Sequence, residues 1–264
     1  MPFTGSHPAA VLPLFRLGLL PSALVIGSMA PDLPYYLPIP VHSHPTHSAT
    51  GIVGIDLLMG LLSFAVWHLL VEPLAVAVAP TGLRRRLPEA QASRSWRWQP
   101  GDLRRGLVLV VSLVVGATTH VLWDEFTHLG RFGYRHLPWL ADLHGPLAGY
   151  RWAQYGSGVF GALVLGWAVL RWWRSAPVTD PPPRPGLPPR TALVVRAGVV
   201  LATLGGASAG LIAAVLRDEG LRRALFLIAT WGGGAGLVAV LLCALALRPV
   251  IMRKVTSAEA SLRA

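Results

Sequence analysis

The sequence predicts an all-α fold, a polytopic transmembrane helical bundle of about five spans preceded by a re-entrant helix hairpin, and three observations predict it. The 264 residues are 53% hydrophobic and only 13% charged, whereas a soluble domain carries about a quarter charged residues. Several apolar runs approach the roughly 20 residues that cross a bilayer. Arginines gather between those runs, as they do in the cytoplasmic loops of membrane proteins.

In chain order, Ala9 to Ala30 is apolar but interrupted by Pro13, Arg16, Gly18 and Pro21, each of which disturbs a straight helix. It reads as two short helices turning near Gly18 to Pro21 rather than one crossing. Ile52 to Val71 contains Asp56 and His68 but is otherwise apolar, and Trp67 suits an interfacial anchor. Gly106 to Trp123, Tyr155 to Leu170, Ala197 to Leu216 and Ala224 to Leu247 are the remaining spans. Asp180 to Pro189 is Pro-rich and reads as an extended linker. The expected organisation is a membrane-embedded domain over 1–174, a cytoplasmic linker over 175–190, and a C-terminal helix pair with a short tail over 191–264.

The arginines also orient the spans. Arg84, Arg85, Arg86, Arg94, Arg97, Arg104 and Arg105 follow the first span, and Arg171, Arg174, Arg184, Arg190 and Arg196 follow the third. Both segments are expected in the cytoplasm. Residues 30–51 and 125–154, which hold most of the histidines, then share the extracytoplasmic side. A hairpin over residues 9–30 returns His7 to that side; a single crossing would not. The N-terminus has no basic segment or small-residue cleavage pattern, so residues 9–30 are not expected to be a removed signal peptide.

The net charge of +11 is accounted for by loop arginines, so no nucleic-acid partner is expected. Trp96 and Trp98 among those arginines look like a membrane-surface anchor. The single cysteine, Cys243, excludes an intrachain disulfide and a cysteine-based zinc site. Any metal must therefore be held by histidine and carboxylate.

His120, Asp124 and His128 recur at spacings of four, which places them on one helix face with Cβ atoms roughly 6 Å apart per step. Neighbouring members can share an ion. His120 and Asp124 also lie in or beside an apolar span, where ionisable groups are expensive and usually functional. The alternative is a set of interhelical hydrogen bonds holding the bundle. The tract His42-Ser43-His44-Pro45-Thr46-His47-Ser48 follows Ala30-Pro31-Asp32 and supplies further imidazole and carboxylate, suited to zinc but also to manganese or iron. Its alternative is an exposed histidine-rich loop.

His7, between Ser6 and Pro8, suits a loop ligand, with Ser6 a candidate N-cap. His144 and His136 share an external loop with Arg131, Arg135 and Arg151, which could hold an anionic substrate group or simply face lipid headgroups. Asp56 could orient a ligating histidine. Glu125 is a candidate general base. His68 reads as interfacial.

The opening Met1-Pro2-Phe3-Thr4-Gly5-Ser6-His7, then Gly27-Ser28-Met29-Ala30-Pro31-Asp32, His44-Pro45-Thr46-His47-Ser48 and His120-x3-Asp124, in that order, resemble bacterial membrane-bound metal-dependent hydrolases. That group includes an inner-membrane hydrolase associated with LexA regulation, and the likeness covers roughly residues 1–160. The same elements are more distantly similar to the all-helical zinc-dependent phospholipase C and related nucleases. That likeness implies His7, Asp32, His47, His120 and Asp124 as ligands, with His128 a weaker sixth. A later His-x3-Glu pair of those enzymes finds His144 but Ala148 here, which argues for one or two ions rather than three.

The expected function is a hydrolase of the bacterial inner membrane in which a divalent ion, zinc first, activates water against a lipid or lipid-linked phosphoester. Asp32 and Asp124 would be ligands or bridging carboxylates at the reacting centre. Membrane lipid is the expected partner. The alternatives are a metal or proton transporter, which would spread polar groups through the bilayer depth, and a non-catalytic structural membrane protein.

Overall fold

A computed structural model describes residues 4–37, 43–87, 102–180, 182 and 184–261. His42, Trp96, Trp98 and the side chain of His44 lie outside the described residues. The chain is an all-α helical bundle. Among the described residues five helical stretches are long and apolar enough to cross a membrane: Ala49–Val78, Leu103–His136, Gly149–Ser175, Pro189–Leu216 and Leu221–Ser257. This is a multi-pass membrane protein. Each stretch runs beyond its apolar run in the sequence, because the helices continue into polar residues at their ends.

The chain forms two compact units, Met1–Phe64 with Trp98–Arg174, and Ala65–Arg97 with Ser175–Ala264. The first unit opens with a 3-10 turn at Thr4–Ser6, α1 at Pro8–Val11 and a second 3-10 turn at Leu12–Arg16. Gly18 turns the chain at φ +72°, a conformation that costs glycine little. α2, Pro21–Met29, then packs back against α1, and a 3-10 helix at Ala30–Tyr35 follows. After α3, Ser43–Thr46, and α4, Ala49–Val53, a break at Gly54 precedes α5, Ile55–Val66.

The long helix α8, Leu103–Thr127, begins at Asp102, whose carboxylate accepts the Arg105 backbone N–H at 3.1 Å. It ends at His128, where the backbone turns extended. α9 (Phe132–His136), α10 (Pro138–Ala141) and a two-stranded hairpin, β1 (Leu143–His144) with β2 (Leu147–Ala148), lead to α11, Gly149–Ser175.

α2 lies against α8 through two glycines. A Cβ at Gly27 would strike the Leu113 carbonyl oxygen, and one at Gly116 would strike the Leu24 carbonyl oxygen and stand 2.8 Å from the Ser28 nitrogen. The backbones therefore touch directly, as small residues permit inside membranes. At the tip of the hairpin the Leu20 N–H donates to Ser112 Oγ at 2.9 Å, and Ser112 Oγ donates to the Val108 carbonyl at 2.6 Å. Protein thus satisfies non-helical backbone at membrane depth. Ser112 is about 18 Å along α8 from Asp124 at 1.5 Å per residue. The hairpin enters to that level and returns, so His7 and Asp32 finish at the same end of α8.

In the second unit a π-helical segment at Trp67–Val71 runs into α6, Glu72–Val78, and α7, Thr81–Arg84. His68 belongs to that π segment. Leu187 is buried with Leu74, Ala77, Ala192, Val195, Ala244 and Ile251. Described residues of the Pro-rich segment are tied to α6: the Leu187 N–H donates to the Ala77 carbonyl at 2.8 Å, and Arg184 pairs with Glu72 at 2.5 Å. α12, Pro189–Leu216, and α13, Leu221–Ser261, form a hairpin in which Gly206 and Gly210 meet the backbones of Trp231 and Leu227.

Gly116→Ala is expected to lower stability by about 1–3 kcal/mol through overpacking, whereas Gly166→Ala, where a Cβ meets nothing within 4 Å, is expected to be neutral or slightly stabilising. Thermal unfolding of the two variants in detergent checks this; equal melting temperatures would refute the direct contact of α2 with α8.

Candidate metal centre

Asp32, His47, His120 and Asp124 are all buried, and one donor atom from each lies within 4.8 Å of the others. They come from the 3-10 helix after α2, the turn after α3, and the last two turns of α8. His47 Nε2 stands 3.2 Å from Asp124 Oδ2 and 3.4 Å from Asp32 Oδ1. His120 Nε2 stands 3.6 Å from each of the same two oxygens. Two donors that share a tetrahedral ion at about 2.0–2.2 Å lie about 3.3–3.6 Å apart. These four residues could hold a metal ion.

Each donor is oriented by a neighbour. His120 Nδ1 lies 2.7 Å from the Ser28 carbonyl oxygen, which can only accept, so the ring hydrogen is on Nδ1. In the neutral ring Nε2 is then a lone pair aimed at two carboxylate oxygens, and it has no hydrogen-bond partner. Acceptor facing acceptor is reconciled only by a cation between them, whether a proton or a metal ion. Thr4 Oγ1 donates to Asp32 Oδ2 at 2.5 Å and accepts from the Tyr36 hydroxyl at 3.1 Å, leaving Asp32 Oδ1 to face the imidazoles. His47 Nδ1 is 2.9 Å from Thr46 Oγ1. The turn carrying His47 is closed by Ser48, whose hydroxyl accepts the Gly51 N–H at 3.0 Å and donates to the Pro45 carbonyl at 2.7 Å.

Burial works against the His47 imidazolium, but the Asp124 and Asp32 carboxylates outweigh it and push its pKa up to about 9. Burial alone would raise Asp32; the facing His120 and His47 imidazoles reverse this and hold its carboxyl below the usual carboxylate range.

His7 and His128 flank the four-donor group on the other oxygen of Asp124. His7 Nε2 is 3.4 Å from Asp124 Oδ1, its ring stacks on His120 with centroids 3.9 Å apart, and its Nδ1 has no hydrogen-bond partner. His128 Nδ1 is also 3.4 Å from Asp124 Oδ1. His128 sits one residue beyond the end of α8 rather than on its face, and its Nε2 lies 3.2 Å from Gln154 Nε2. The N-cap of α1 is His7 itself, not Ser6.

Other candidates from the sequence are engaged elsewhere. Glu125 Oε1 accepts from Arg131 Nη1 at 3.0 Å and Oε2 accepts the Phe132 N–H at 2.9 Å. Arg131 also donates to the His47 carbonyl at 2.8 Å, tying the segment after α8 to a donor residue. His144 Nε2 meets the Trp139 carbonyl at 2.7 Å, and His136 stacks on Phe132. Arg135 is exposed. Asp56 is buried with neither carboxylate oxygen hydrogen-bonded, so it orients no histidine directly.

Thr4, Tyr36, Ser28 and Gln154 were missed by reasoning from motifs. Thr4 stands inside the opening motif, and Gln154 is a polar residue at the start of an apolar span, a signal in itself. Ser28 acts through its carbonyl, which no side-chain pattern reveals.

A family profile described as a domain of unknown function, DUF4184, matches residues 1–245. The chain belongs to the DUF4184 family. That match takes in the opening turn, the Asp32 and His47 turns, α8 and both units of the DUF4184 chain. No curated protein and no solved structure matches it.

Two outcomes are expected. Ligation of an ion by His47 would displace its proton, so affinity for a divalent ion measured against a chelator should rise by up to about tenfold per pH unit for one proton, flattening above pH 9. The ion-free protein should show the opposite sign: the raised pKa gives stability that is full below the ordinary value of 6.5 and lost as pH climbs through about 9. An affinity independent of pH would rule out His47 as a ligand. Separately, Asp56→Asn loses no hydrogen bond and should bind a divalent ion as the wild type does; weaker binding in a folded variant would show that the carboxylate of Asp56 is needed at the centre.

Proposed function

We propose that this protein is a metal-dependent hydrolase of the bacterial inner membrane, holding a divalent ion, zinc first, at its extracytoplasmic side and acting on a lipid or lipid-linked phosphoester. The observation that carries the reading is the lone pair of His120 Nε2, fixed by the Ser28 carbonyl, aimed with His47 at two buried carboxylates. Two carboxylates and two neutral imidazoles around a dication sum to zero charge, the balance a buried site needs. The hard and borderline donors also admit manganese or iron. The order of motifs shared with membrane-bound hydrolases supports the reaction class, and the arginine distribution supports the side.

Asp32, His47, His120 and Asp124 would hold the ion. When bound, such an ion supplies Lewis acidity towards a phosphoryl or carbonyl oxygen and makes water acidic enough to lose a proton near neutral pH. Thr4 and Tyr36 keep Asp32 Oδ1 turned inward. His7, donating Nε2–H to Asp124 Oδ1, would present Nδ1 as the acceptor for the proton leaving water. Gln154 and His128 hold the far side of Asp124. Glu125, with both oxygens engaged, anchors the loop through Arg131 rather than reaching the centre.

Elemental analysis of detergent-purified protein tests this first. Wild type should carry about one equivalent of metal, and His120→Ala and Asp124→Asn should lose it while still inserting in membranes; full retention in both overturns the proposal. His7→Ala should keep the metal and lose phosphoester hydrolysis in a lipid-substrate screen. Loss of metal in His7→Ala would instead make His7 a ligand.

A further inference from the structure

We propose that the segment joining α8 to α11 is bedded in the headgroup layer of the membrane rather than standing in water, as an interfacial platform beside the metal centre. Its apolar residues are open to the surroundings: Leu143 is 77% exposed, Leu129 61%, Trp139 55% and Phe132 50%. In water such side chains would forgo about 25 cal/mol for every Å² left uncovered. At the bilayer boundary, rings with one polar and one apolar side are in their preferred setting.

The segment is tied together by internal contacts. Trp139 stacks on His144 at 4.6 Å, and the Trp152 indole donates to the His144 carbonyl at 2.9 Å. Phe132 stacks on His136 at 4.4 Å and meets Phe126 edge-on at 5.9 Å. The Gly149 N–H closes the segment on the Asp142 carbonyl at 3.0 Å, and Gly133 and Gly149 leave no room for a Cβ against Glu125–Phe126 and Trp139–Leu140.

Lipid, rather than a protein partner, is the occupant because the spans that carry the segment at either end also present exposed apolar residues next to it. Leu122, Trp123 and Phe126 are exposed in the last turns of α8, and Tyr155, Val159 and Phe160 in the first turns of α11. Both spans fix the depth of the segment between them. Arg135 and Asp142 are exposed as well, as expected for a strip with headgroups on one side. Arg131 couples this strip to the centre through the His47 carbonyl, so the centre lies at headgroup depth. The inference does not depend on the hydrolase reading.

Spin labels at single cysteines test it, in a Cys243→Ala background that removes the one native thiol. Leu129→Cys, Leu143→Cys, Val159→Cys and Arg135→Cys are each labelled and the protein placed in phosphatidylethanolamine–phosphatidylglycerol vesicles. All four positions are exposed, so the labels displace no packing. Labels at 129 and 143 should favour collision with oxygen over a water-soluble nickel chelate, several-fold more than the label at 135 and approaching that at 159. Water-like accessibility at both 129 and 143 overturns the proposal. Shielding of both from oxygen and nickel alike also overturns it, since that result means a second protein surface covers the segment.

Discussion

A carboxylate in the apolar end of a membrane span has to be compensated, and Asp124 sets the terms for the whole first unit. Each of its oxygens faces two imidazoles, His47 and His120 on one side, His7 and His128 on the other. Those imidazoles are supplied by the N-terminal turn, the segment before α4, α8 and the residue just beyond its end. Without them the charge would cost several kcal/mol in a low-dielectric setting. The convergence of otherwise short and irregular segments on the end of α8 follows from that requirement. A second carboxylate, Asp32, only increases the demand for positive charge, and its inward oxygen shares the same two imidazoles.

Backbone contact makes the convergence possible. The carbonyl of Ser28 reaches His120 only because Gly27 and Gly116 let α2 press against α8 without intervening side chains. The hairpin that carries α2 can stop part-way through the bilayer because Ser112 receives the N–H at its tip. Packing and chemistry are therefore coupled: the glycine contact that seats the hairpin also chooses the tautomer of a donor.

The long spans were legible because apolar runs of sufficient length have few other uses, and the interruptions at Gly18 and Pro21 were enough to mark a turn rather than a crossing. The four-donor group consists of residues that spacing and motif order single out: the helical step of four from His120 to Asp124, and the Asp32 and His47 turns. Spacing could not foresee that α8 would stop at Thr127 and leave His128 just beyond the helix. It also could not foresee that Glu125 would be spent on Arg131 and a backbone N–H, since a carboxylate next to a ligand looks the same in sequence whichever partner it finds. The contributions of Ser28 and of the glycines were illegible for a different reason. Carbonyl groups occur at every residue, and close approach is a property of two segments rather than of either alone.

The hairpin has a consequence for biosynthesis. His7 and Asp124 are 117 positions apart, so a ribosome delivers the N-terminal turn long before the helix it leans on. Until α8 arrives, the Leu20 N–H has no serine to meet and α2 has no glycine surface to rest on. The N-terminal turn is thus made early and reaches its final place late. The four donors Asp32, His47, His120 and Asp124 are likewise complete only once α8 is in place.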